Sequence, residues 1–270
     1  FAYMFGRNSS IYLGGIATHF YAEFDTKLNP KRFEEALNKV IQRQEMLRAY
    51  ICKDGTQVIM EEVPYYEVEY TDLSKLTEEE KTKEIESYRA QNSNRIIPLD
   101  TWPMFGFKFF RKDEESSVLA VDIDMMIVDG MSTELLIHQV MQYYNGEAVE
   151  PTIEVCFSDY MELEKQKREK MEAVDKEFWM QNIQNFTAGP FIEKVQKDAP
   201  DIPYFYSLEN VIEAEKWSAV ERKLRKQRIL PTIYLLTAYA RMVSAWTNNE
   251  KLTINMTVSC LLYTSPSPRD

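Results

Sequence analysis

The order of apolar and polar side chains predicts alternating strands and helices along the chain. Aromatic and β-branched residues over 11–25 are typical of a strand that is interrupted by a pair of glycines. Asn29 and Pro30 predict a helix start, because a capping residue is followed there by a first-turn proline. The next apolar residues recur at helical spacing and predict one buried face, formed by Phe33, Ala36, Leu37, Val40 and Ile41.

Later segments repeat this mixture of hairpin-linked strands and helices. The pair Asp54-Gly55 predicts a hairpin turn, and Thr77 with Glu80 predicts a capping box that opens a charged helix. We therefore expect an α+β fold with a lobe boundary between 150 and 205. The predicted strands lie at 49–52, 57–60, 105–110, 118–123 and 252–258, and the predicted helices at about 77–91, 132–144, 158–186, 214–227 and 232–246.

Composition narrows the classes of function. The chain carries 32 Lys+Arg against 43 Asp+Glu, a formal net charge of −11, and has no basic stripe that could neutralise the phosphates of a nucleic acid. Its 2 His and 3 Cys show no paired metal-ligand spacing, so a metal centre is not expected and the isolated cysteines fit a reducing cytoplasm. No apolar run approaches about 20 residues, so neither a membrane span nor a signal peptide is expected.

The two ends of the sequence differ in character from the rest. The last segment, 260–270, contains Pro266 and Pro268 and resembles the one-frame translation of an adapter used in sequencing libraries. A native Ser/Pro linker is the alternative interpretation. We expect 1–259 to be the native part, cut at both ends.

The candidate chemistry lies in the segment 118–132. Asp122 and Asp124 alternate with apolar residues, so both carboxylates are expected on one face of a strand. Asp129 follows at a turn, and Ser132 is placed to cap the next helix. Carboxylates beside a helix N-terminus can act as an acid/base pair or hold a substrate carbonyl. Aspartates at strand ends and turns are also common without any chemical role, and periodicity does not decide between the two interpretations.

A family resemblance favours the chemical interpretation. Asp124, Asp129 and Ser132 match the pattern D-x-x-x-x-D-x-x-S, and the segment resembles the heterocyclization domains of nonribosomal peptide synthetases. Ordinary condensation domains of that superfamily carry H-H-x-x-x-D-G at this place. The present sequence keeps Asp129-Gly130 but has Asp124 and Met125 where the two histidines would be.

Other stretches carry the same resemblance over essentially all of 1–259. Tyr3 and Arg7 belong to a segment that resembles the first motif of the family, and His19 lies in its continuation. Arg43 and Arg48 lie in a segment that resembles the second motif, where a glutamine at position 44 replaces the usual histidine. Later segments resembling family motifs contain Trp179, Tyr239 and Trp246.

The resemblance implies a chloramphenicol-acetyltransferase-like fold with two lobes around a tunnel. The N-terminal lobe would occupy 1–165 and be nearly complete, and 166–259 would hold the crossing segment and the start of a truncated second lobe. The implied reaction joins a carrier-bound acyl thioester to a carrier-bound Cys, Ser or Thr thioester and cyclodehydrates the amide to a thiazoline or oxazoline. A threonine and an aspartate of the second lobe would assist dehydration beyond 259, so the chain alone is expected to be inactive.

The resemblance also implies partners and roles for individual residues. The partners would be upstream and downstream carrier domains, whose phosphopantetheine arms deliver the substrates, and an adenylation domain in the same polypeptide; no cofactor would bind directly. Among the catalytic residues, Asp124 would face the tunnel as the acid/base group. Asp129 would pair with Arg43 or Arg48 and hold the loop, and Ser132 would cap the helix.

Four residues are expected in the tunnel wall or in lobe packing, and two other functions stay open. The four residues are Tyr3, Arg7, His19 and Met125. The first alternative function is a degenerate condensation domain that recruits a partner protein without catalysis. The second is an amide-forming condensation domain, or a stand-alone acyltransferase of the same fold.

Overall fold

A computed structural model describes residues 4, 6–8, 10, 15–149, 155–187, 210–254 and 256. The described residues divide into two compact units, one that contains them up to Glu164 and one that begins at Lys165. Tyr3 and the segment 260–270 lie outside the described residues. In this part of the chain no helix is long and apolar enough to cross a membrane.

The first unit is built on a four-stranded sheet and a separate two-stranded hairpin. The order of strands in the larger sheet is β1-β6-β5-β4, and in the hairpin β2 pairs with β3. The strands are β1 (His19–Thr26), β2 (Ala49–Ile51), β3 (Gln57–Ile59), β4 (Glu69–Asp72), β5 (Phe105–Arg111) and β6 (Ser117–Asp124), and the helices are α1 (Pro30–Arg43), α2 (Glu78–Asn92) and α3 (Gly130–Asn145), with a 3-10 helix at Glu45–Arg48.

Strand β6 is central and every one of its residues is buried. Leu119, Val121 and Ile123 point to the main core, which also contains apolar residues of α1 and α3. Val118 and Ala120 point to the opposite face and pack with residues that include one from α2. Side chains alternate along a strand, so the two aspartates of β6 continue this second face.

Helix α1 follows the pattern that its sequence predicts. The Asn29 side chain accepts a hydrogen bond from the backbone N–H of Arg32, and Pro30 is the first residue of the helix. The predicted apolar face is fully buried and forms part of the main core. Each large side chain buried there contributes about 1.5–3 kcal/mol. The predicted capping box of Thr77 and Glu80 at the start of α2 is also confirmed.

Four elements differ from the prediction. Strand β1 begins at His19 rather than at 11, since the described residues 15–18 are not in a strand. Strand β4 was not predicted, because its polar sequence has no apolar alternation; it forms by parallel pairing with β5 at the edge of the sheet. Helix α3 begins at Gly130 rather than at Ser132, because Asp129 is its N-cap. Within the predicted last strand, the described residues Leu252, Thr253, Ile254 and Met256 are not in a strand, and the others lie outside the described part.

The second unit is helical in its described part. Helix α4 (Phe157–Asn182) starts in the first unit, continues into the second, and is followed by a 3-10 helix, Ile183–Asn185. Helices α5 (Ala214–Lys226) and α6 (Pro231–Thr247) then form a pair. Their starts at 214 and 231 agree within one residue with the predicted helices.

Candidate active site

The first aspartate of the motif is buried and paired. Asp124 is 0% exposed; its Oδ2 forms an ion pair with Arg7, and its Oδ1 accepts a hydrogen bond of 2.9 Å from the backbone N–H of Met126. Arg7 also donates to the carbonyl oxygen of Ile97 at 2.7 Å. A carboxylate without access to water needs such partners, because burying an unpaired charge is very costly. The prediction that Asp124 faces a tunnel as the acid/base group therefore has to be combined with a carboxylate that is enclosed and paired with Arg7.

Backbone hydrogen bonds fix the position of this strand end. The N–H of Asp124 donates to the carbonyl oxygen of Met104 at 3.0 Å, and the N–H of Met125 donates to that of Thr18 at 3.0 Å. Met125 is half-buried, packs against the main core, and also lines a pocket that Met126 shares. The chain thus leaves the sheet at a defined point before it turns into α3.

Asp122, which lies two residues before Asp124 on the same face of β6, is a second buried carboxylate. Asp122 forms an ion pair with Arg95, and the His19 Nε2 lies 3.8 Å from its Oδ1. Neither oxygen of Asp122 accepts a well-aligned hydrogen bond from the described residues. Burial raises the pKa of Asp122, and Arg95 and His19 act against this rise. Gly106 faces Asp122 across the sheet, and a Cβ there would lie 2.8 Å from Arg95 Nη2, so glycine leaves the space that the guanidinium occupies.

The side chain of His19 is buried in this cluster. Its Nε2 lies 3.1 Å from the carbonyl oxygen of Asn92, which is the last residue of α2. The strand pattern predicts the two aspartates on one face, but it gives no signal for Arg95, which follows α2 in a loop. Only the folded chain brings Arg95 to this cluster.

The second aspartate of the motif is held by a helix start. Asp129 is exposed and is the N-cap of α3, since its Oδ1 accepts a hydrogen bond of 2.7 Å from the backbone N–H of Ser132. The hydrogen bonds from Ser132 lower the pKa of Asp129. The prediction that Ser132 caps the helix is wrong: Gly130 is already helical, so Ser132 lies inside the first turn and donates to the cap.

The two arginines that were candidates to pair with Asp129 lie near the end of α1. Arg48 donates to the carbonyl oxygens of Ile41, Gln42 and Met60 and thereby holds the segment after α1. The predicted pairing of Arg48 with Asp129 is therefore wrong. Arg43 is the last residue of α1 and lines a surface pocket.

A pocket of about 380 Å³ opens beside the motif. Asp129 and Ser132 line it together with the two methionines of the loop and the amide side chains of Gln44 and Gln57. Gln57 donates to the carbonyl oxygen of Met126 at 3.2 Å, and Gln44 donates to a glutamine of α3 at 2.7 Å. The pocket therefore presents one ionisable group, Asp129, and two uncharged amides. The segments that resemble family motifs include Asp129, Ser132 and Gln44.

No group of three or more His, Cys, Asp or Glu side chains within the described ranges is arranged to hold a metal ion. The charged groups near the motif are engaged in ion pairs and caps instead. The chemistry that this arrangement can perform is hydrogen bonding, proton transfer and orientation of a substrate in the pocket.

Comparison with known proteins assigns the class. The family model of the condensation domain matches residues 3–260, and the chain belongs to that family. Condensation domains of nonribosomal peptide synthetases are acyltransferases. The predicted family and the predicted α+β condensation-domain fold are both confirmed.

Particular relatives include heterocycle-forming synthetases. Bacitracin synthase 1 of Bacillus licheniformis is 29% identical over 95% of this chain and 5% of that protein. Phenyloxazoline synthase MbtB of Mycobacterium bovis is 24% identical over 93% of this chain and 18% of that protein. The crystal structure of the EpoB cyclization-docking bidomain from Sorangium cellulosum superimposes with a TM-score of 0.80 at 26% identity, covering 91% of this chain and 50% of that one. The chain thus spans a small part of the curated relatives.

Proposed function

We propose that this chain is part of a heterocyclization domain that acts in two steps. In the first step, the amine of a carrier-bound Cys, Ser or Thr thioester attacks the donor acyl thioester; the C–N bond forms and the donor thiol leaves. In the second step, the side-chain thiol or hydroxyl attacks the new amide carbonyl. Loss of one water then gives a thiazoline or oxazoline.

The observation that carries this proposal is the pair Asp124 and Asp129 at the end of β6 and the start of α3. Ordinary condensation domains carry two histidines where this chain has Asp124 and Met125. The similarity to a phenyloxazoline synthase and to a cyclization domain supports the same reaction class. The recruitment alternative accounts for the loss of the histidines but gives no reason for a serine at the third motif position, Ser132, beside the two aspartates.

The two aspartates take different roles in this proposal. Asp124 is a positioning residue, because its carboxylate is buried and occupied by Arg7 and by a backbone N–H. Asp129 lines the pocket and is exposed, so it is the carboxylate that can touch a substrate. Its lowered pKa keeps it ionised at neutral pH, so it can accept a hydrogen bond from the attacking amine and orient that amine.

Both substrates would arrive on carrier domains. Phosphopantetheine arms on an upstream and a downstream carrier would bring the two thioesters together, and positioning of this kind can supply much of the rate. An adenylation domain in the same polypeptide would load the downstream carrier. The uncharged amides of Gln44 and Gln57 in the pocket provide donors for an amide or thioester carbonyl.

The test uses the intact parent synthetase with both carriers loaded. We expect mass spectrometry to show a product lighter by one water than the linear amide. Asp129→Ala should lower the rate of product formation roughly 10²-fold or more, because the attacking amine loses the carboxylate that orients it. Asp129→Asn, which can still cap the helix, separates the loss of charge from the loss of the cap.

Two outcomes would overturn the proposal. Accumulation of the linear amide by the wild-type enzyme would favour an ordinary amide-forming domain or acyltransferase. Complete absence of acyl transfer, with retained binding of a carrier or another protein, would favour the recruitment module.

A further inference from the structure

A second cavity, distinct from the pocket at the motif, lies in the first unit. It has a volume of about 180 Å³ and lies between the sheet and helices α1 and α3. Polar residues of its lining occur only where β1 ends. The rest of the lining is apolar and includes Leu37 of α1, Phe107 of β5, Val121 of β6 and Val140 of α3. Apolar cavities of about 150 Å³ stay dry and can bind benzene. This space is therefore suited to one apolar group.

The cavity and the motif pocket share a wall. Leu47 and Leu136 line both of them. On α3, Ser132 lines the motif pocket, Leu136 lines both spaces, and Val140 lines the cavity. These three residues are spaced four apart, so they follow one face of the helix with about 6 Å between successive positions.

We propose that this cavity binds the apolar end of the donor acyl group, a single aromatic ring or a short alkyl chain, while its carbonyl lies in the pocket at Ser132. This inference rests on the proposed function and names the donor class of that same site. In this arrangement the acyl group would pass Leu136, which lines both spaces. The occupant is the donor because the acceptor carries an amine and a thiol or hydroxyl, and burying these groups among apolar side chains without partners is costly.

The first experiment measures binding without any reaction. The full chain is melted in the presence of increasing benzene, and we expect a saturable rise in Tm, because a ligand of the native state stabilises it. Val140→Phe fills the cavity and should abolish this rise. Val140→Leu and Val118→Leu form a matched pair, since both valines are buried: Val140 lies on α3 in the main core, and Val118 lies on the opposite face of the sheet. Only the change at 140 should weaken benzene binding.

The outcome of this experiment is decisive for the cavity. No saturable rise in the wild type, or an equal rise in wild type and Val140→Leu, would overturn the proposal. The leucine pair keeps the test valid if the phenylalanine variant does not fold.

The second experiment compares donors on the intact parent synthetase. Benzoyl and acetyl groups are loaded on the upstream carrier, and kcat/KM is measured for total acyl transfer, so that the ratio does not depend on ring closure. Val140→Phe should lower the benzoyl-to-acetyl ratio by roughly tenfold or more, because a hydrophobic subsite discriminates by the space it offers. Leu136→Ala, which removes part of the shared wall, should raise this ratio.

These results separate the two proposals. Benzene binding and a shifted donor ratio without any heterocycle would support the cavity and overturn the proposed ring formation. Heterocycle formation with an unchanged donor ratio in both variants would support the proposed function and overturn the donor subsite. Absence of acyl transfer from either donor would overturn both.

Discussion

The end of β6 and the start of α3 each carry an aspartate of the same motif, in opposite surroundings. Asp124 has no exposed surface and pairs with an arginine that is 117 positions away in the sequence. Asp129 is exposed and bonds to a backbone N–H only 3 positions away. The first carboxylate is stabilised by a long-range ion pair in the interior, and the second by the local geometry of a helix N-terminus.

The spacing between Asp124 and Asp129 places one carboxylate in the interior and the other at a helix start, and each carboxylate fixes one end of the motif loop. The buried pair ties the N-terminal segment, through Arg7, to the strand from which the motif loop leaves. The helix cap holds the other end of the same loop and leaves its carboxylate in the pocket. A loop fixed at both ends keeps the pocket residues between them in one arrangement, as substrate positioning requires.

The largest effect is expected from breaking the buried pair. Asp124→Ala leaves the guanidinium of Arg7, whose side chain is 10% exposed, without its counter-ion, and should cost about 3–5 kcal/mol of unfolding free energy. The measurement is urea unfolding, with hydrogen exchange of the β6 amides as a local readout. The double variant Asp124→Leu with Arg7→Leu should recover part of the loss. A cost below about 1 kcal/mol for Asp124→Ala would show that the pair is not a structural centre.

The sequence predicts the apolar packing around β6 and α1, but it does not predict most of the polar partners of the aspartates. The alternation around Val121 and the face of α1 follow from periodicity, which depends only on neighbours in the chain. The partners of Asp122 and Asp124 come from a loop after α2 and from the N-terminal segment, and no local pattern marks them. The cap was assigned to Ser132 instead of Asp129, because both residue types cap helices and the pattern does not show where the helix begins.

A smaller effect is expected from crowding the neighbouring ion pair. Gly106→Ala would bring a Cβ to 2.8 Å from Arg95 Nη2 and displace the guanidinium from Asp122. Because Arg95 is flexible and half-exposed, the expected cost is about 1–2 kcal/mol in thermal unfolding. Gly130→Ala is the matched control, since a Cβ there meets nothing within 4 Å. Equal stability of the two variants would argue that the Arg95 contact contributes little.

Removing the cap should cost less than removing the buried pair. Asp129→Ala leaves the N–H of Ser132 without its acceptor and should lower stability by about 1 kcal/mol, whereas Asp129→Asn should keep most of the cap. Circular dichroism during urea unfolding measures both. If Asp129→Ala were as damaging as Asp124→Ala, the contrast between the two ends of the loop would fail.

The smallest effects are expected in the pH dependence of stability. They should have opposite signs at Asp129, in the cap, and at Asp122, the other buried aspartate of β6. The pKa of Asp129 is lowered by its hydrogen bonds from Ser132, so the stability it contributes is present above the pKa of the unfolded chain, about 3.9, and is lost as the pH falls through the folded value. The pKa of Asp122 is raised by burial, so its contribution is present below about 3.9 and is lost as the pH rises through the folded value.

Asparagine variants isolate the contribution of each aspartate to the slope of stability against pH, because asparagine has nearly the same shape as aspartate and does not titrate. Asp129→Asn should remove part of the loss of stability on the acid side, and Asp122→Asn should remove a decline that begins as the pH rises above about 4. Urea unfolding from pH 3 to pH 7 at constant ionic strength measures both changes. Slopes of the same sign for the two variants would mean that Arg95 and His19 outweigh burial at Asp122. Asp122 would then be ionised and held by Arg95.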